Sequence, residues 1–282
     1  MKTPVVITTV MDLRARVAGW RREDARVGLV PTMGALHEGH LSLIGEAARR
    51  SDRVMVSIFV NPRQFAPNED FQRYPRNLED DRARIAAQGL ADAIFVPERD
   101  EIYPEGFTTE IKVGGPALGL ESDVRPHFFT GVATVVAKLL IAAAPDIAVF
   151  GEKDYQQLLV VRRLVRDLGL PVEIIGAPIV REPDGLAMSS RNAYLAARER
   201  MIAGELNRVL LDLAQRVRSG MSIREAQEEG KHALLSAGFD SVDYVAIRNA
   251  DTLESLEHAS GEMRILAAAT VSGTRLIDNM AV

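Results

Sequence analysis

Short apolar segments alternate with amphipathic helical segments over about the first 180 residues of this chain. Helical periodicity is clearest at 78–88, 132–143 and 157–168. A strand, a helix and a further strand in succession form a right-handed unit with a parallel sheet that is covered on both faces. The alternation therefore predicts an α/β fold with a Rossmann-like, doubly wound parallel sheet. The predicted strands are Val5–Thr8, Val27–Val30, Arg53–Phe59, Ala93–Val96, Ile147–Phe150 and Val172–Ile175.

The pattern changes after residue 180. Two long amphipathic segments, 196–218 and 222–237, predict helices, and three strand-like segments follow at 241–247, 263–268 and 274–277. Helices followed by consecutive strands are typical of an α+β arrangement. We therefore expect two domains, residues 1–179 and a smaller C-terminal α+β domain at 180–282.

Composition excludes several classes of function. The chain has 282 residues, of which 47% are hydrophobic and 26% charged, as in soluble globular proteins. A net charge of −5 gives no basic surface for nucleic acid or for a membrane, so we expect neither partner. Cysteine is absent, and the N-terminal residues lack the apolar core of a signal peptide. These features together predict a cytoplasmic protein.

Two of the five histidines, His37 and His40, lie in one glycine-containing turn between a predicted strand and a predicted helix. Free backbone N–H groups and the positive end of a helix dipole suit phosphate binding at such a turn. Imidazoles add donors whose hydrogen bonds strengthen as a phosphate gains charge. We therefore predict a nucleoside triphosphate site here, and a structural role for the histidines is the alternative.

Amide side chains follow the Arg53–Phe59 strand at Asn61 and Gln64. Neutral amides suit a small substrate that carries hydroxyl and carboxylate groups. In the alternative, Asn61 caps the loop and Gln64 lies at the surface.

The segment Gly151 to Asp154 follows the Ile147–Phe150 strand. Glycine permits close approach of a ligand, Lys153 can neutralise phosphate, and Asp154 can cap the next helix or hold a ribose hydroxyl. Helical spacing places Lys153 and Gln157 on one face. An ordinary capped helix with Lys153 in solvent is the alternative.

Three further segments carry polar groups, and each segment has either a functional or a structural role. Hydroxyls and a guanidinium at 188–191 can bind phosphate, or a serine there caps a helix. The acidic triplet at 79–81 can contact Mg²⁺, or it forms the solvated first turn of a helix. The polar, proline-containing segment from Phe65 to Pro75 is either a gate or an inert surface loop.

Six sequence blocks, in this order, resemble the pantothenate synthetase family. The His-x-Gly-His core alone indicates only the wider nucleotidylyltransferase superfamily, but the six blocks together are far more specific. The resemblance covers essentially the whole chain, although the last 90 residues match in architecture more than in motif. The blocks are VPTMGALHEGH at 30–40, SIFVNPRQF at 57–65, YPR at 74–76, HFFTGV at 127–132, FGEKDYQQ at 150–157 and DGLAMSSRN at 184–192.

The resemblance implies that pantoate condenses with β-alanine at the expense of ATP, giving pantothenate, AMP and pyrophosphate through a bound pantoyl adenylate. It implies Mg²⁺, a homodimer, and a C-terminal domain that closes over the nucleotide. His40 would be the proton donor, with His37 and Lys153 acting on the phosphates, and Asp80 would contact Mg²⁺. Gln64, Gln157 and Asn61 would hold pantoate and β-alanine. The implied ATP-binding residues are Met33, Gly34, Ala35, Leu36, His37, Glu38, Gly39, His40, Gly151, Glu152, Lys153, Asp154, Val180, Met188, Ser189, Ser190 and Arg191.

Two other functions share part of this pattern. A nucleotidylyltransferase that passes AMP or CMP to a phosphorylated acceptor would use both histidines, but it would need a second cationic cluster and would leave Gln64 and Gln157 unexplained. A nucleotide sensor without catalysis would keep the glycine-containing turn, but it gives no reason for both histidines together with Lys153 and Arg191.

Overall fold

The computed structural model describes residues 3–66 and 69–282. Four residues lie outside the described residues. They are Met1 and Lys2 of the N-terminal segment considered above, and Pro67 and Asn68 of the candidate gate. The strands are β1 Val5–Ile7, β2 Val27–Thr32, β3 Arg53–Ile58, β4 Ala93–Phe95, β5 Ile147–Gly151, β6 Glu173–Ala177, β7 Ser241–Asn249, β8 Met263–Val271 and β9 Thr274–Ala281. The helices are α1 Val10–Arg22, α2 Glu38–Arg50, α3 Leu78–Gln88, α4 Arg99–Ile102, α5 Glu121–Val124, α6 Phe128–Ala143, α7 Tyr155–Leu168, α8 Ala197–Arg218 and α9 Ile223–Ala237.

Strands β1 to β6 form one parallel sheet in the order β1-β4-β3-β2-β5-β6. The strand order reverses between β2 and β5, because β3 and β4 extend the sheet on one side and β6 extends it on the other. Ligands of such sheets bind beyond the carboxyl ends of the strands at this reversal. The turn with His37 follows β2 and the segment with Lys153 follows β5. The topology therefore brings the two predicted phosphate-binding segments together.

Apolar cores lie on both faces of this sheet. One contains Leu29 of β2 together with residues of α1, α6 and α7. The other contains Val30 of β2 together with residues of α2 and α3. Adjacent residues of a strand point to opposite faces, so a strand that is covered on both sides is apolar throughout. This requirement explains why β2 and β3 carry continuous apolar sequence.

Strands β7, β8 and β9 form an antiparallel sheet, against which α8 and α9 pack. The opposite face of this sheet meets α7, where Leu266 and Ala246 lie in one apolar cluster with Tyr155 and Leu159. Residue 179 falls between β6 and this second group of elements. We keep it as the proposed boundary between the domains.

The predicted fold class is confirmed: a Rossmann-like parallel sheet is followed by a smaller α+β part. Two helices begin earlier than periodicity predicted, α6 at Phe128 and α7 at Tyr155. The starts that periodicity missed still pack on sheets: Phe128 and Phe129 lie in the core with Leu29, and Tyr155 lies in the cluster with Leu266. Among residues 3–66 and 69–282, no helix has the length and apolar character of a bilayer-spanning segment.

Candidate functional site

A cleft of about 760 Å³ lies at the reversal point of the parallel sheet and is bounded by both groups of elements. This volume is typical of sites for small molecules and cofactors. The predicted residues that line it come from five separate segments of the chain. They are Met33, His37, Gly39, His40, Asn61, Gln64, Gly151, Lys153, Asp154, Gln157, Val180, Met188, Ser189, Ser190 and Arg191.

The two histidines lie at the N-terminus of α2 with their ring centroids 4.1 Å apart. Each Nδ1 accepts a backbone N–H: His37 from Gly39 at 3.2 Å, and His40 from the N–H of His37 at 3.4 Å. A neutral imidazole with an accepting Nδ1 carries its proton on Nε2. A Cβ at Gly39 would lie 2.9 Å from the His37 ring, so glycine is needed there. Both rings can therefore offer an Nε2–H donor to an anion.

Burial and nearby positive charge keep both rings neutral. Desolvation and the Lys153 ammonium lower the pKa of His37 to about 4. Desolvation, His37 and Lys153 together lower the pKa of His40 to about 3. Without a ligand, His40 is therefore a neutral hydrogen-bond donor near pH 7 rather than an imidazolium acid. A bound triphosphate would favour the charged form, because negative charge near an imidazole raises its pKa.

We expect the free energy of unfolding to fall as the pH is lowered from about 6.5 towards 4. The unfolded histidines have a pKa near 6.5, so over this range the unfolded chain binds more protons than the folded chain. Denaturant titrations at several pH values measure the slope, and NMR of the imidazole nitrogens reports the tautomer. His40→Asn should reduce the slope, with the exposed His258→Asn as the matched control. A His40 ring that titrates near pH 6.5 in the ligand-free protein would contradict this prediction.

Five backbone N–H groups of the candidate phosphate-binding turn donate within the protein. Ala35 N–H and Leu36 N–H donate to Asp81 at 3.0 and 2.7 Å, and Gly34 N–H donates to Thr32 Oγ1 at 3.2 Å. The N–H groups of His37 and Gly39 are used by the histidines, as described above. Side chains, rather than the backbone of this turn, must therefore supply most of the donors for a phosphate.

Asp81 is a residue of the site that the sequence interpretation missed. Its side chain is 2% exposed, and burial raises the pKa of its carboxyl group despite the two backbone donors. It lies four residues before Ile85 on the buried face of α3, and this helical spacing was the available signal. Gly34 adopts φ +82°, and a Cβ there would lie 2.9 Å from Asp81 Oδ2. Asp81 thus holds the shape of the turn that bears the histidines.

Six of the predicted residues, all within the described part of the chain, lie outside the lining of the cleft. Asp80 points away from Asp81 and forms an ion pair with Arg84 at 2.9 Å, where its side chain is half exposed. It begins the helix in the manner of the solvated first turn considered above. The other five are neighbours of lining residues, and they shape the turn or the loop through the backbone. They are Gly34, Ala35, Leu36, Glu38 and Glu152.

The loop after β5 presents Lys153 to the cleft, and its ammonium has no carboxylate partner among the described residues. The buried amide of Asn279 on β9 donates to the carbonyl oxygens of Glu152 and Lys153, both at 2.9 Å. Arg264 of β8 pairs with the Glu152 carboxylate at 3.1 Å and donates to Asn279 Oδ1 at 2.7 Å. The second sheet therefore fixes the segment that carries the candidate phosphate-binding cation.

Two amide side chains face the cleft from opposite segments. Gln64 lies in the short turn after β3, and its Oε1 accepts from Asn61 Nδ2 at 3.0 Å. Gln157 lines the cleft from the first turn of α7. Its neighbour Gln156 points the other way and donates to the carbonyl oxygens of Pro116 and Gly119 at 3.0 and 3.1 Å. Of this adjacent pair, only Gln157 offers its amide to a ligand.

The segment 188–191 closes the cleft from the second group of elements. Ser190 Oγ donates to the carbonyl oxygen of Ala35 at 3.0 Å, which joins this segment to the histidine turn. Ser189 accepts the N–H of Arg191 at 3.3 Å, so it acts as the N-cap of a short 3₁₀ helix. The Arg191 guanidinium lies 6.0 Å from the centre of the Tyr74 ring. Ser189 thus caps a helix and also lines the cleft, and phosphate binding by this segment stays a prediction.

Known proteins resemble the chain over its full length. The model of the pantoate-beta-alanine ligase family matches residues 5–281. A pantothenate synthetase of Mesorhizobium japonicum is 55% identical over 99% of this chain and 98% of its own length. The crystal structure of pantothenate synthetase from Thermus thermophilus aligns with a TM-score of 0.92 at 48% identity, covering 98% of both chains.

A ligase that was crystallised with ligands is also similar. The pantoate-beta-alanine ligase of Francisella tularensis, in complex with beta-gamma ATP and beta-alanine, aligns with a TM-score of 0.83 at 34% identity. The alignment covers 98% of this chain and 97% of that chain. The family model and these relatives agree over the parallel sheet, the cleft and the C-terminal sheet. The chain is therefore a ligase and belongs to the pantoate-beta-alanine ligase family.

Proposed function

We propose that this chain condenses pantoate with β-alanine through a pantoyl adenylate, at the expense of ATP. The observation that carries the proposal is that one cleft gathers two kinds of side chain. His37, His40 and Lys153 supply neutral donors and one positive charge. Gln64 and Gln157 supply uncharged amides. A triphosphate suits the first set, and a small hydroxy acid suits the second.

In the first step, a carboxylate oxygen of pantoate attacks the α-phosphorus of ATP, the bond to the β-phosphate oxygen breaks, and pyrophosphate leaves. Negative charge grows on the phosphate oxygens, where the Nε2–H donors and Lys153 stabilise it. In the second step, the amine of β-alanine attacks the pantoyl carbonyl, loses a proton, and displaces AMP. Neutral amides position pantoate without pairing its carboxylate so tightly that attack is suppressed. Positioning of the reactants supplies much of the remaining acceleration.

Magnesium fits this cleft as an ion held mainly by the nucleotide. No three His, Asp or Glu side chains form a metal cluster in the described parts of the chain. Mg²⁺ prefers phosphate oxygens together with one or two carboxylates, and Asp154 is a carboxylate that lines the cleft. Asp80 remains the alternative contact, and it would have to leave Arg84 to reach the ion. The bound ion would neutralise charge on the triphosphate.

We also propose a homodimer, on the basis of the resemblance, and a cytoplasmic location, on the basis of composition.

One pair of assays tests the function. The protein is incubated with ATP, magnesium and pantoate, and exchange of labelled pyrophosphate into ATP is followed without β-alanine. β-Alanine is then added and AMP is measured. We expect exchange that depends on pantoate and AMP that depends on both substrates. AMP release without either substrate, or no AMP at all, would contradict the proposal. AMP transfer to a phosphorylated acceptor would indicate a nucleotidylyltransferase, and ATP binding without turnover a sensor.

Replacing Gln157 with alanine is expected to raise the KM for pantoate about 10- to 100-fold. A hydrogen bond to a charged group contributes about 1.5–3 kcal/mol, which corresponds to such a factor. The KM for ATP should change less than about twofold, because we propose that Gln157 contacts pantoate and not the triphosphate. Steady-state kinetics measures both constants, with Gln215→Ala on the exposed face of α8 as the matched control. Equal weakening of both substrates would contradict the assigned pocket.

A further inference from the structure

We propose that Tyr103, which does not itself line the cleft, is a positioning residue that helps the backbone groups around Asn61 to hold the Gln64 amide with one fixed end towards pantoate. This inference rests on the proposed function for the identity of the substrate, but its structural part does not. Tyr103 follows the short helix α4 and is separated from Gln64 by Asn61. It does not itself line the cleft, but it contacts two residues that do, Asn61 and Phe59. Its hydroxyl bonds Asn61, so we expect the effect of the hydroxyl to pass through Asn61.

The orientation of the Asn61 amide is fixed by backbone groups that have a single hydrogen-bonding role. Its Nδ2 lies 3.1 Å from the carbonyl oxygen of Gly131, which only accepts. Its Oδ1 lies 3.3 Å from the N–H of Arg63, which only donates. The Tyr103 hydroxyl lies 2.8 Å from the same Oδ1, so this hydroxyl donates. Oxygen and nitrogen of Asn61 can therefore be assigned without ambiguity.

The assignment at Asn61 determines the orientation of Gln64. Asn61 Nδ2 donates to the Gln64 amide at 3.0 Å, so the atom that it meets must be the acceptor Oε1. Gln64 Nε2 then points the other way and contacts Met33 Sδ at 3.0 Å, beside the histidine turn. Gln64 consequently presents N–H donors, not its carbonyl oxygen, to a ligand in the cleft. A carboxylate or a hydroxyl oxygen can accept from them, which is the chemistry that pantoate offers.

Tyr103 is held rigidly for this role. The side chain is 6% exposed, and its ring packs against Phe107 and Phe59 with centroid distances of 5.2 and 6.1 Å. The Arg63 guanidinium lies 5.1 Å from the ring centre. Burial raises the pKa of Tyr103 to about 12, so the hydroxyl keeps its proton at neutral pH. The donor to Asn61 is therefore fixed in position and in protonation state.

The backbone of the loop that carries Asn61 and Gln64 is also fixed, in part by α6. A Cβ on Gly131 would lie 2.3 Å from the Arg63 carbonyl oxygen, so this approach is possible only for glycine. The Arg125 guanidinium donates to the carbonyl oxygen of Gln64 at 3.1 Å. With the backbone held at both points, rotation of the two amides is the freedom that remains. The Tyr103 hydroxyl adds the shortest of the three hydrogen bonds that restrict this rotation at Asn61.

The test is Tyr103→Phe, which keeps the ring and removes only the hydroxyl. We expect the KM for pantoate to rise about 10-fold, because one buried hydrogen bond contributes about 1 kcal/mol and a misoriented amide adds to this loss. The KM for ATP should stay within about twofold. In a Gln64→Ala background the same substitution should have no effect on pantoate, because the two changes act through one amide. Phe107→Leu, which alters the packing against the Tyr103 ring and the contacts of Phe107 with Arg63 and Lys138 but keeps the Tyr103 hydroxyl, is the control.

A merely structural role would give a different result. Equal changes in the KM for ATP and for pantoate, or the same pantoate effect in the Gln64→Ala background, would overturn the proposal. Side-chain amide resonances of Asn61 and Gln64 in the ligand-free protein test the relay without any turnover, and we expect both to shift in Tyr103→Phe. If the wild-type protein shows no pantoate-dependent exchange, the proposed function fails, and these resonances still decide the orientation. Unchanged resonances would overturn the relay even where the function stands.

Discussion

Replacing Lys153 with alanine is expected to lower kcat for adenylate formation by about 10²- to 10³-fold. Loss of one preorganised donor aimed at developing negative charge has an effect of this size. Lys153 has no carboxylate partner among the described residues, so its charge is available to the triphosphate. Pyrophosphate exchange with saturating ATP and pantoate measures the rate of this step. Lys153→Arg should recover part of the rate, because it keeps the charge and changes its geometry.

We expect the Lys153→Ala variant to fold like the parent protein. No described residue relies on the Lys153 side chain for burial or for an ion pair, so the melting temperature should stay within a few degrees. Lys231→Ala, on the exposed side of α9, is the matched control for loss of one positive charge. A collapse of the circular dichroism signal would assign Lys153 a structural role. Unchanged pyrophosphate exchange in a folded variant would show that Lys153 takes no part in adenylate formation.

Replacing Arg275 with alanine is expected to destabilise the protein by about 3–5 kcal/mol, because it leaves a buried carboxylate without its main partner. Glu121 is 6% exposed, and both of its oxygens accept from Arg275 at 2.7 and 2.8 Å. Burial alone would raise the pKa of Glu121, but the hydrogen bonds from Arg275 and Tyr244 hold it below its ordinary value. Denaturant unfolding followed by circular dichroism measures the loss.

Two further variants separate the buried pair from a simple loss of charge. Arg216 pairs with Asp212 and Glu229 on the surface, so Arg216→Ala should cost less than about 1 kcal/mol. Replacing both buried partners, Glu121→Gln with Arg275→Met, should recover much of the loss, because position 121 then holds no unpaired charge. A single Arg275→Ala variant as stable as the parent would show that water reaches Glu121 and screens its charge.

The fold could be predicted from the sequence because the sheet is covered on both faces. Strands such as β3 are apolar at successive residues, and the helices between them repeat their apolar residues at helical spacing. Helix starts were harder to place. The first turn of α6 meets the loop at Arg63 through Gly131, and a glycine that approaches a backbone leaves no periodic apolar signal.

Less of the candidate site than of the fold could be predicted from the sequence. The cleft gathers segments that motifs could identify, including the histidines, Gln64 and Lys153. The orientation of each group depends on partners that are remote in sequence. Asp81 and Asp80 are adjacent, but Asp81 is buried against the histidine turn and Asp80 pairs with Arg84 at the surface. Only the rotational position of each residue on α3 distinguishes them. Tyr103 acts on Asn61 across 42 residues, and no spacing rule connects them.

The amide of Asn279 has a consequence for the order in which the site is assembled. It binds the carbonyl oxygen of Lys153 from 126 residues further along the chain. The parallel sheet contains strands β1 to β6 and its own cores, so it can form before β9 has been synthesised. At that stage the loop after β5 lacks the donor that shapes it. We therefore expect a growing chain to complete its candidate phosphate site only when β9 has been synthesised and pairs with β8, later than its parallel sheet.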